Sequence, residues 1–171
     1  MSADGIVVRP AGMRDAQDLY RVRIAPGAAA ETLAVPSLSF EAFREGHQRA
    51  LQSPLNHMLV AEVEERAVGM VNLAVHRGRR AHSGNLGMMV HDDHWGRGIG
   101  KRLLWAALEL ADLWLALDRV ELEVYRDNIV AITLYSKSGF VAEGIKRRGA
   151  VRDGQYVDIM VMGRLRGEEV R

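Results

Sequence analysis

The sequence contains no cysteine, which removes disulfides, thiolate metal sites and a cysteine nucleophile together. It has almost no net charge. Its 23 Lys and Arg against 22 Asp and Glu leave +1, too little for an electrostatic footprint on nucleic acid or on an anionic membrane. Long apolar runs are also missing, because the longest, Leu103 to Leu117, is interrupted by Glu109 and Asp112 and is too short to span a bilayer. MSADGIVVRP lacks the basic region followed by an apolar stretch that marks a signal peptide, so a soluble cytoplasmic protein is expected. There is no internal repeat, low-complexity tract or interdomain linker, and 171 residues suit one domain, 1–171, with one sizeable core.

The most informative segment is Met88 to Leu104, MMVHDDHWGRGIGKRLL: an apolar strand, an acidic turn, glycines at 96, 98 and 100, then an amphipathic helix. Glycines let the backbone turn tightly and bring successive N–H groups to a bound phosphate, and the unpaired amides of the helix start point at the same anion. A Walker loop is excluded, since Trp95 stands where its first glycine belongs and Arg102 follows the Gly-Lys pair. A dinucleotide fingerprint is excluded too, because its third small residue falls on Lys101 or on Leu103. His91, Asp92, Asp93 and His94 lie in a turn without a distant fourth ligand, so exposed turn residues are expected there and no metal. His57, His76 and His82 have no motif around them and read as structural or surface groups.

Periodicity predicts a strand at Ile6 to Arg9, a helix from Met13 to Ile24 with Asp15 in its first turn, and a second helix from Phe40 to Leu51. Ala25 to Ser39, with Pro26, Gly27 and Pro36, reads as a connecting loop. His57 to Val63 and Val68 to Val75 form a hairpin signal around Glu64, Glu65 and Arg66, and Gly84 to Val90 supplies the next strand. After the glycines, Ile99, Leu103, Ala107, Leu110, Trp114 and Leu117 make a stripe expected to lie on the sheet. Val120, Leu122 and Val124 alternate with Glu121, Glu123 and Tyr125, which places the two acids and the tyrosine on one face. Asn128 or Asp127 caps a short helix, and Phe140 to Ala150 and Tyr156 to Met162 flank Asp153-Gly154, a two-residue hairpin turn. These elements predict an α/β (α+β) fold, a mixed sheet covered by helices.

The glycine segment resembles the pyrophosphate loop of the GCN5-related N-acetyltransferase (GNAT) superfamily, with Gly98 and Gly100 on the pattern and Trp95 in place of its usual Gln or Arg. A second motif, Asn128 to Phe140, NIVAITLYSKSGF, is similar to the Asn, Ala-Ile, Leu-Tyr, Gly-Phe signature of that family. The closing stretch VAEGIKRRGAVRDGQYVDIMVM, with ETLAVP and RRAHSG earlier, resembles bacterial members that acetylate small amines and amino acids. The resemblance implies a GNAT fold of about seven strands with helices on both faces, and a cytoplasmic enzyme passing an acetyl group from acetyl-CoA to the primary amine of a small molecule in a ternary complex. It implies no metal, no nucleic acid, no membrane and a possible homodimer. Trp95, Gly96, Arg97, Gly98, Ile99, Gly100 and Lys101 would hold the pyrophosphate, with the basic cluster Lys146, Arg147 and Arg148 as a surface or a rim for phosphates. Met89 and Val90, beside a bulge, would offer amides to the acetyl carbonyl, and Asn128 would bind pantetheine or cap its helix. Tyr135 is the expected general acid, or an aromatic packing residue touching the cofactor. Glu123, twelve residues before it, is the candidate base through water, and a solvated strand position is the other reading of Glu123 and Glu121. Asn85 stands where related enzymes often carry an acid, so no base is expected from it. A protein N-terminus, a polyamine or an antibiotic amine are the other acceptors, and a non-catalytic CoA-binding sensor is the alternative of another class.

Overall fold

The computed structural model describes residues 5–33, 35 and 37–168; Pro36 of the early loop lies outside the described residues. Seven strands form one sheet in the order β1-β2-β3-β4-β5-β7-β6, where β1 is Ile6–Pro10, β2 Asn56–Val63, β3 Arg66–Val75, β4 Ser83–Val90, β5 Arg119–Tyr125, β6 Val141–Arg152 and β7 Gln155–Leu165. Every neighbouring pair is antiparallel except β4 and β5. That parallel pairing covers only Ser83 with Arg119, Gly84 with Val120 and Asn85 with Glu121, so the two strands part beyond Asn85 and open a gap in the sheet.

Helices cover both faces. On one, α4 (Ile99–Glu109) buries Ile99, Leu103, Leu104 and Ala107 against Val71, Leu73, Leu86 and Leu122. On the other, Leu19 of α1 (Ala16–Ile24) and Phe43 of α3 (Phe40–Gln52) pack on Val60 and Ala67. Alternation in β5 sends Leu122 and Val124 to the α4 side, leaving Glu121, Glu123 and Tyr125 on the opposite face as the sequence predicts.

Three local expectations need correction. The connecting loop contains a short helix, α2 (Pro26–Glu31), with Pro26 at its first position, where a missing N–H costs nothing. Met13–Asp15 forms a separate 3-10 turn before α1, and Asp15 turns inward to accept from Gly12 N at 2.7 Å and to pair with Arg9. The helical stripe holds through Ala107, but Leu110–Trp114 form a π turn closed by Leu115 N donating to Leu110 O at 3.0 Å. The wider turn advances the chain by one residue against the stripe, which leaves Trp114 78% exposed and brings Leu117 into the core.

Both tight hairpins turn on two residues of positive φ, a conformation that Asp153-Gly154 favours and Glu64-Glu65 does not. Glu64 and Glu65, and Asp153 and Gly154, all take positive φ, the condition for two-residue turns that match strand twist.

Candidate active site

Gly96 and Gly98 adopt φ of 73° and 77°, and Gly98 is the residue preceding α4. A Cβ at either would cost about 1–2 kcal/mol in that left-handed conformation. The first helical bond is Arg102 N to Gly98 O, at 3.1 Å. Among the described residues the amides of Gly96, Arg97, Gly98, Ile99, Gly100 and Lys101 therefore have no acceptor. Six consecutive donors are thus unspent at a positive helix end, where an anion such as a diphosphate is favoured. Ile99 is buried in the core, so it contributes its amide alone, and the Lys101 ammonium sits 4.2 Å above the Trp105 ring. Arg97 Nη1 lies 2.8 Å from His94 Nδ1; burial first, then the Arg97 charge, holds the His94 pKa below its usual value.

Trp95, in the place of the family's Gln or Arg, shares a cavity wall with Gly96 and Gly98. Its indole N–H donates to Val90 O at 2.8 Å, and its ring lies against Gly27, leaving no room for a side chain there. Asp92 is no exposed turn residue: its carboxylate accepts from Gly27 N at 2.6 Å and Ala28 N at 2.7 Å, capping α2 and fastening it to the end of β4. Nothing in the local sequence signals this cap, because donor and acceptor stand 64 and 65 positions apart.

The gap between β4 and β5 exposes main-chain groups of β4, and their parity follows from two bonds. His91 N donates to Val68 O and His76 N to Ser83 O, both at 2.9 Å. Antiparallel alternation between these ends puts the amides of Gly87 and Met89 in the ladder with β3, and turns those of Leu86, Met88 and Val90 toward the gap. Of the two amides expected to face the carbonyl, that of Met89 is spent on β3, while those of Val90 and of Met88 face the gap. No bulge is needed, since the β3–β4 register runs unbroken from Val75 and Gly84 to Gly69 and Val90.

Across the gap lies α5 (Ile129–Ser136), capped by Asn128, whose Oδ1 accepts from Ala131 N at 3.0 Å. Tyr135, on its last turn, is 7% exposed and stacks at a tilt on Phe140, ring centroids 5.8 Å apart. Burial pushes the pKa of its phenol up to about 12, and its hydroxyl has no hydrogen-bond partner among the described residues. Glu123 lies at the rim, in an ion pair with Lys146. Glu121 is otherwise engaged: burial would raise its pKa, but hydrogen bonds from Arg119 and His76 outweigh that and hold it low. Asn85 is exposed.

One cavity of about 1460 Å³ joins these parts. It runs from Gly96 to Lys101, past Met88, Val90 and Tyr135, to Glu123 on the face covered by α1 and α3. That far side is closed by Tyr125, whose hydroxyl donates to Thr32 O at 3.2 Å beneath the Arg152 guanidinium, 4.7 Å from the ring. Among the described residues no group of three His, Asp or Glu could hold a metal, and no helix is long and apolar enough to cross a membrane.

A strand that splays from its neighbour, a glycine turn of unpartnered amides and a buried tyrosine beside the gap make the fold and site of an acyltransferase class. The model of the acetyltransferase (GNAT) family matches residues 27–140, and the chain belongs to that family. It is 36% identical over 163 residues to the L-amino acid N-acetyltransferase AaaT of Escherichia coli (strain K12), an alignment covering 94% of this chain and 98% of that protein. A GNAT acetyltransferase from Streptococcus pneumoniae, 28% identical, superposes with a TM-score of 0.79 over 94% of this chain and 99% of its own. Spermidine N-acetyltransferase from Vibrio cholerae, solved with CoA and spermine, superposes at 0.84 over 95% and 96%; at 22% identity that likeness concerns the fold. The chain is accordingly an acetyl-CoA-dependent N-acetyltransferase acting on small amines.

Proposed function

We propose that this domain, spanning 1–171, acetylates the primary amine of a free amino acid or a similar small molecule by direct transfer in a ternary complex, without a metal. The observation that carries this reading is the continuity of the cavity, which lets a thioester held at one end meet an amine entering from the other. Similarity to an L-amino acid N-acetyltransferase along nearly the whole chain supports the acceptor class.

Residues 96 to 101 would bind the diphosphate of acetyl-CoA through their amides, and Asn128 would offer its remaining amide N–H₂ to the pantetheine arm while capping α5. Bound acetyl-CoA supplies an activated acyl group. The amides of Met88 and Val90 point at the place where its carbonyl would gather charge, and one such donor is worth about 3–4 kcal/mol in the barrier. Tyr135, held as a neutral phenol by its apolar site, would donate the proton that the departing thiolate needs. Glu123, at the opening, would take a proton through water from the entering ammonium, leaving a neutral amine to attack.

The test is release of free thiol from acetyl-CoA across a panel of twenty L-amino acids, spermidine and an alanyl peptide. Turnover concentrated on amino acids supports the reading; turnover confined to spermidine or the peptide moves the acceptor class, and binding of acetyl-CoA without turnover on any amine refutes catalysis.

A further inference from the structure

Among the described residues, three buried side-chain atoms have no hydrogen-bond partner: Arg23 Nε, Thr32 Oγ1 and Asn72 Oδ1. All three residues line the large cavity. Buried polar atoms are ordinarily satisfied, and a part-buried guanidinium without an anion is the costliest of these to leave alone. The other inward arginines show what this one lacks. Arg9 forks onto Asp15 at 3.0 and 2.7 Å, Arg164 onto Asp112 at 2.8 and 2.7 Å, and Arg119 onto Glu143. Arg23 has no ion pair or hydrogen bond among the described residues.

Position assigns the missing anion to the acceptor. Arg23 comes from the last turn of α1, Thr32 follows α2, and Asn72 lies on β3 two residues from Met70, which packs with Leu19 and Phe43. This is the face opposite α4, whose N-terminal amides serve the phosphates. The carboxylates that line the cavity are already committed, Glu123 to Lys146, and Glu31, at 3.9 Å, and Asp127 to Arg152. Asn72 spends its amide N–H₂ on Asn56 Oδ1, at 3.4 Å, which leaves its carbonyl oxygen without a donor.

We infer that Arg23 holds the carboxylate of the acceptor through its guanidinium. The acceptor class is thus a primary amine that carries a carboxylate, and polycations are repelled by the same side chain. This rests on the transferase reading above and sharpens it, because that reading names no residue that recognises the carboxylate.

The experiment compares kcat and KM for each L-amino acid turned over with those for its carboxamide, which keeps the side chain and amine and removes only the negative charge. Wild-type protein is expected to favour the acid by about 10–100-fold in kcat/KM, carried by KM. Arg23→Gln should erase that preference by raising the KM of the acid, with Arg23→Lys restoring part of it. Equal use of acid and amide by the wild type, which needs no variant to fold, overturns the proposal and leaves the transferase intact. So does an equal loss for acid and amide in Arg23→Gln, or spermidine as the best acceptor. Silence with every acceptor overturns the transferase reading and this inference with it.

Discussion

Tyr135 combines two properties that compete in water and cooperate here. Burial raises its pKa to about 12, so the phenol stays protonated throughout the range in which thiols ionise, and the same apolar surround strengthens a proton donation to a thiolate. Replacing it with phenylalanine keeps the ring on Phe140 and removes the proton; kcat should fall about 10²-fold or more with little change in the KM of acetyl-CoA. Unchanged turnover would reduce Tyr135 to packing. The linkage has a definite sign: with a folded pKa above the unfolded value near 10, the group's stabilising contribution is complete below pH 10 and is lost as pH rises toward 12. Urea titrations of the wild type should weaken over that alkaline window more than those of Tyr135→Phe. At the other end of the reaction, Glu123→Gln should abolish the acidic limb of the kcat/KM profile, and a retained limb assigns the base elsewhere. The glycines and Tyr135 could be singled out because each stands within a local motif, and Glu123 by its position twelve residues before Tyr135. Arg23 was not, because its meaning lies in the absence of a partner, which only the assembled cavity reveals.

At the scale of single elements, α4 and its preceding turn would carry the cofactor end. Gly98→Ala should raise the KM of acetyl-CoA about tenfold or more, since a Cβ disfavours the φ of 77° that aims the six amides, and calorimetry with CoA reads the loss directly. Gly100→Ala is the internal control: a Cβ there meets Met88 at 3.5 Å and Leu134 at 3.6 Å, ordinary contact, with no unusual φ. Its effect should be markedly smaller. The elements misread from sequence share a cause. Proline, glycine and alanine in Pro26–Glu31 read as a loop, yet Asp92, far along the chain, supplies the cap that makes a six-residue helix hold. The π turn at Leu110–Trp114 breaks a stripe that the sequence continues without interruption, because the helix must end where Leu117 can enter the core.

For the molecule as a whole, the Arg9, Asp15 and Glu62 cluster ties β1, β2 and the start of α1 together. Burial would raise the Asp15 pKa, but bonds from Arg9 and the Gly12 amide overcome this and hold it below the ordinary value. A depressed carboxylate contributes stability above its unfolded pKa, near 3.9, that disappears as pH falls through the folded value. Asp15→Asn should therefore cost about 2–3 kcal/mol at neutral pH, leaving the Arg9 charge short of a partner, and the difference from wild type should close below pH 4 in urea denaturation.

Periodicity, turn residues and two short motifs determined the order of elements, the mixed sheet and the phosphate loop, because each is encoded within a dozen neighbouring residues. What the tertiary structure alone decided is where the sheet parts and which atoms face the parting. β4 and β5 pair for three residues and then diverge, and strand parity, set by hydrogen bonds to β3, turns the Met88 amide rather than that of Met89 into the gap. Side-chain patterns repeat every two residues along a strand and cannot state which edge a given N–H addresses; that depends on the partner strand, which is known only once the chain has folded.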